Sequence, residues 1–190
     1  MTRFLAPPDT PDVVYEFFSP FAHVEGHYEW CRIRSPTHGV FDTFILIDRA
    51  PVTVYVASRA GEVFMRERYP ECRTHRVPEG NLVITESHDG RIVTGVLRAT
   101  EGPVRDAIMT LAAEPDALPE AIPYGGQGKP VWGSRFTCWG VDLVLRGKTR
   151  GTIRWAEGAT QQLEETPCLV TLGSFGRIAP LPARDVPTVR

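Results

Sequence analysis

The first apolar cluster, Val13, Val14, Phe17 and Phe18, recurs at the three-to-four-residue spacing of a helix face. Thr10 can cap such a helix, Pro11 suits its first position, Asp12 complements its positive end, and Ser19-Pro20 would stop it. A helix is therefore predicted over 10–18. From Gly26 the period falls to two. Alternating runs predict strands at 26–34, 40–48, 51–58, 62–69, 72–77, 81–87, 91–100 and 103–113, and then at 131–146, 148–156 and 167–175. The joints are rich in turn residues, among them Ser35-Pro36-Thr37-His38-Gly39, Pro78-Glu79-Gly80 and Glu101-Gly102-Pro103. Asp89-Gly90 and Arg146-Gly147 predict tight hairpins. Short strands at this spacing, with no strand–helix–strand alternation, predict an all-β chain. Its expected form is a single antiparallel β-barrel of about eight to eleven strands with a short N-terminal helix.

Composition supports that reading. Seventeen glycines and seventeen prolines punctuate 190 residues, and most fall at strand joints. The 42 % hydrophobic share excludes wholesale disorder, and 190 residues suffice for one domain, 1–190, around one core. Segment 114–130 holds four prolines and three glycines, so it is expected to be a long loop, a lid over a pocket. The proline-rich tail, 180–190, is expected to be flexible.

Charge and cysteine usage narrow the partners. A net charge of −2 without a basic stripe disfavours nucleic acid. Apolar runs reach four residues, as at Phe44-Ile45-Leu46-Ile47, far below the ~20 of a membrane span. The start, MTRFLAPPDTPD, lacks the apolar core of a secretory signal. Cys31, Cys72, Cys138 and Cys168 lie far apart without zinc-site pairing. Reduced thiols in a cytoplasmic protein are expected, with no metal and no cofactor. Oligomeric state is left open, a homodimer included.

Two segments carry candidate chemistry. In 131–145 both strand faces are largely apolar, so Arg135 and Asp142 are charges that need a partner or a wet cavity. A bulge at Gly140 would bring the two onto one face. In 26–34, His27, Glu29 and Cys31 alternate onto one face, and Tyr28, Trp30, Arg32 and Arg34 onto the other. Burial would bring His27 and Glu29 toward neutrality as an acid/base pair. Trp30, Trp132 and Trp139 would wall a small-molecule cavity, and Tyr124-Gly125-Gly126 would fold the lid over it. His38, His75 and His88 fall in turns or on a polar strand and are expected to be solvated.

Gly26-His27-Tyr28-Glu29-Trp30, Phe41-Asp42-Thr43-Phe44-Ile45, Pro51-Val52-Thr53-Val54-Tyr55-Val56, and Trp132 with Trp139-Gly140-Val141 follow one another in an order that resembles a known family. Residues 24 to about 155 look like one lipocalin-like half of the carotenoid hydratase and decalin-forming cyclase families. The resemblance implies a calycin-type barrel around a polyene, terpenoid or polyketide, which some members protonate or cyclise. Those families carry two barrels with much of the pocket between them, so no catalytic residue is transferred to this single one.

Two functions are expected from these residues. As a cofactor-free cyclase, hydratase or isomerase, the chain would use His27 or Glu29 as acid/base and Arg135 to stabilise developing negative charge. Trp30, Tyr124, Trp132, Trp139 and Asp142 would hold the hydrophobic substrate. As a carrier, it would hold a hydrophobic metabolite in the same cavity unchanged. A filled barrel acting only through its surface is a third reading.

Overall fold

A computed structural model describes residues 13–19, 28–47, 49–88, 91–114, 120–123 and 141–175. Strand-forming residues dominate them. The strands are β1 (Val14–Ser19), β2 (Tyr28–Ser35), β3 (Gly39–Leu46), β4 (Thr53–Val56), β5 (Arg73–Arg76), β6 (Leu82–Glu86), β7 (Ile92–Arg98), β8 (Val104–Ala113), β9 (Glu120–Pro123), β10 (Val141–Trp155) and β11 (Thr160–Phe175). The helix among them is α1 (Arg59–Arg68). All eleven strands join one sheet in the order β5-β4-β3-β2-β1-β11-β10-β8-β7-β6, with β9 beside β10. The all-β class stands.

Among the described residues no ladder joins the two end strands, so the sheet is not closed into a barrel by backbone pairing. It is nevertheless rolled. The end strands β5 and β6 are consecutive in the chain, joined by residues 77–81 alone. The hairpin β10–β11 serves both halves: the first part of β10 and the last part of β11 lie beside β9 and β1, while Gly147–Trp155 pairs with β8. A bulge between Thr149 and Gly151 marks the bend. Two half-sheets result, β1–β5 and β6–β8 with the hairpin's far end. Their facing sides bury Phe18, Tyr28, Trp30, Phe44, Tyr55, Leu97, Met109 and Ile153 among others. A second apolar layer, with Tyr15, Cys31, Ile33, Phe41, Ile45, Val54 and Val56, lies on the other side of β1–β4 under Phe64 and Met65 of α1.

Several expectations need correction. Residues 14–19 form a strand where a helix was expected, pairing with β2 on one side and β11 on the other. Val13 and Tyr15 enter the layer under α1 and Phe18 the layer between the half-sheets, so both strand faces are buried and the doublets imitate helical spacing. Residues 62–69, expected as a strand, belong to α1. Ser58 accepts from the Gly61 N–H at 3.2 Å as N-cap, Glu62 and Arg66 pair one turn apart, and Gly61, Phe64 and Met65 share the buried face. That helix makes β4 and β5 a parallel pair, so the sheet is not wholly antiparallel.

The hairpin expected at Arg146-Gly147 does not form, because β10 runs straight through it. Gly147 is required there by close approach: a Cβ would stand 2.9 Å from the Ala112 carbonyl carbon. The expected loop 114–130 contains strand β9, and its remainder from Pro115 to Pro119 and from Tyr124 to Pro130 lies outside the described residues.

Candidate functional site

The alternation in β2 decides which side chains face the interior. Tyr28, Trp30 and Arg32 point between the half-sheets, whereas Glu29, Cys31 and Ile33 point toward the α1 layer, where Glu29 sits opposite Ile45. Phe44 tilts against Trp30 at 4.7 Å between centroids and stacks on Tyr28 at 6.2 Å. Across the interior the Trp30 indole packs against Gly95 in β7, where a Cβ would stand 2.6 Å from the ring's Cδ2. The two half-sheets touch at this level. Only glycine lets them do so.

Two polar side chains are stranded in this apolar interior. The Trp30 indole N–H and the Thr149 hydroxyl are fully buried and have no hydrogen-bond partner among the described residues. Thr149 pairs in register with Leu111, which belongs to the same interior layer. An unsatisfied buried donor costs about 1–3 kcal/mol, so each calls for a partner beyond the described residues.

At one end of the roll, Tyr55 of β4 accepts from the Val104 N–H at 2.8 Å and stacks on His75 at 5.4 Å. Gly102 sits over the pair, its absent Cβ leaving room for the Tyr55 ring. Burial pushes the Tyr55 hydroxyl up to about 12. The Nε2 atom of His75 is buried without a partner, and desolvation lowers the imidazole pKa against the pull of Glu101. His75 is thus half-buried rather than freely solvated as expected. So is His38, whose ring meets Thr37 Oγ1 at 2.8 Å and packs edge-on against Phe64. His88 is exposed as expected.

Where the interior becomes polar, Arg32 and Asp42 form a two-pronged pair, with Nε to Oδ1 at 2.7 Å and Nη2 to Oδ2 at 3.1 Å. Both also reach edge strand β6. Arg32 donates to the Ile84 carbonyl at 2.7 Å, and Asp42 accepts from the Ile84 N–H at 3.1 Å. Side chains here take the place of the missing ladder. The hydrogen bond to Asp42 raises the Arg32 pKa further, so the guanidinium stays charged.

Of the residues expected to form the site, Trp30 faces the interior and Glu29 is 1 % exposed on the opposite face of the same strand. The structure does not bring these two together. Asp142 is placed through its backbone, in register with Gly173 and Ile122. His27, Tyr124, Trp132, Arg135, Trp139 and the bulge expected at Gly140 lie outside the described residues.

No family model, no curated protein and no solved structure matches this chain. The site therefore rests on its own geometry.

Thr149 and His75 were missed by sequence reading. A single hydroxyl in Lys148-Thr149-Arg150 reads as one more polar position beside two charges, and only strand parity, Thr149 inward and both neighbours exposed, separates it from them. Among the described residues no group of histidine, cysteine, aspartate or glutamate side chains could hold a metal ion. No described helix is long and apolar enough to cross a membrane.

Proposed function

We propose that this chain binds a hydrophobic small molecule, a polyketide, terpenoid or polyene, between its half-sheets, in the manner of a lipocalin-like barrel. The observation that carries the reading is the Trp30 N–H, wholly buried and unpartnered in an aromatic interior. Ligand sites are mostly apolar with a few polar groups that fix orientation, and this interior has that composition. The roll of the sheet, with Arg32 and Asp42 bridging to Ile84, supports the barrel form. Cys72 as a free thiol is compatible with a reducing cytoplasm.

Binding without conversion is the form the geometry favours. Glu29 lies on the face away from Trp30, so it could act as an acid or base only on a substrate held on the α1 side of β2. The contact of Trp30 with Gly95 favours a second reading, a filled sheet that works through its surface. Native mass spectrometry of the purified protein separates the two. A noncovalent adduct of small-molecule mass, released by organic solvent, is the expected result. A bare chain that also takes up no apolar fluorophore would establish the surface reading instead. If the mass of the bound molecule changes on incubation, the chain is an enzyme, and Glu29→Gln tests whether Glu29 takes part.

A further inference from the structure

Resting on the hydrophobic-ligand reading, we infer that the molecule taken up is oxygenated: a neutral ketone, quinone or related carbonyl compound whose oxygen accepts from the Trp30 indole N–H. The indole nitrogen donates and cannot accept, so a hydrocarbon leaves it stranded. A carbonyl oxygen restores the missing bond without bringing a charge into an apolar space. An anion does not fit. Arg32, the inward-facing cation next to Trp30 along β2, is already held by Asp42 and the Ile84 carbonyl. A carboxylate beside Trp30 would therefore find no free counter-charge among the described residues. The Thr149 hydroxyl, which both donates and accepts, is a second orphaned group in the same interior layer. A plain polyene answers neither. Sites built to hydrogen-bond a group discriminate strongly against analogues that lack it.

The test compares two probes of nearly equal shape, acetylnaphthalene and ethylnaphthalene, on the full chain. Affinity is read by fluorescence, and the indole N–H signals by NMR on isotope-labelled protein. Trp30→Phe identifies the Trp30 signal. Should that variant fail to fold, replacing the other three tryptophans singly identifies it by elimination. The ketone should bind about tenfold more tightly and move the Trp30 N–H signal, while the hydrocarbon binds and leaves it in place. In Trp30→Phe the tenfold preference should vanish with hydrocarbon binding retained. Equal affinities with an unmoved Trp30 signal would overturn the carbonyl inference and leave the hydrophobic-ligand reading standing. Absence of binding by either probe would overturn both.

Discussion

Trp30 and Gly95 illustrate how one contact sets the spacing of two walls. The indole reaches across the interior and rests on the bare Cα of a glycine, so adding one methyl there forces strand or ring to move. Gly95→Ala is expected to destabilise the chain by about 1–3 kcal/mol, the usual cost of overpacking, as read by urea denaturation. His75 gives a pH signature. Its folded pKa is depressed, so between the ordinary value near 6.5 and the lower folded value the unfolded chain binds more protons than the folded one. The His75 contribution is thus fully present above about pH 6.5 and is lost as pH falls through the folded pKa. The urea midpoint should drop more between neutral and mildly acid pH in the parent than in His75→Gln; equal drops would show that His75 is not the responsible group. Which of these residues could be read beforehand depended on neighbours in sequence. Trp30 announced itself by size and strand parity, whereas the burial of His75 comes from Tyr55 and Gly102, twenty or more residues away.

At the scale of elements, α1 shows two opposing effects on a glycine. Alanine is ordinarily better than glycine in a helix by about 1 kcal/mol. At Gly61, however, a Cβ would stand 2.6 Å from the Phe41 ring and 2.8 Å from Val56 Cγ2. Overpacking of this kind costs about 1–3 kcal/mol, so Gly61→Ala is expected to lower the unfolding midpoint rather than raise it. Ser58→Ala should cost about 1 kcal/mol by removing the cap on the Gly61 N–H, and Ser58→Asp should recover most of it. These two elements, β1 and α1, were the ones misread from sequence, for one physical reason. Val13-Val14 and Phe17-Phe18 are doublets, and doublets satisfy a helix face as well as a strand buried on both sides. Val63-Phe64-Met65 is a short apolar run that fits either form, and the serine cap with the Glu62–Arg66 spacing was the signal that separates them. The strands from 82 to 113 were legible because one face of each is buried far more completely than the other, and those from 28 to 46, buried on both faces, because turn residues bound them.

For the whole molecule, the Arg32–Asp42 pair is the join between half-sheets that backbone pairing does not supply. Truncating Asp42 to alanine would leave a partly buried guanidinium and the Ile84 N–H without their acceptor, at a cost of about 2 kcal/mol. Hydrogen exchange at Ile84 should accelerate in that variant beyond any change at Val93 on the strand next to it. The freed edge of β6 should also promote concentration-dependent association, visible by sedimentation. Protection at Ile84 unchanged from the parent would show that the roll is held by the apolar interior alone. The all-β class and most strand positions were legible because alternation and turn chemistry are local properties. The roll was not, since it depends on a bulge between β10 and β11 with its extra residue on β11, on edge contacts between Asp42 and Ile84 42 residues apart, and on a glycine facing a tryptophan.

On the proposed reading an apolar, oxygen-bearing molecule belongs beside Trp30. A crystal structure of the protein soaked with acetylnaphthalene puts this to the test. The probe is expected between the half-sheets with its carbonyl oxygen at hydrogen-bond distance from Trp30 Nε1. An interior that remains closed, with Trp30 still seated on Gly95 and its N–H bound to water or to nothing, would contradict it.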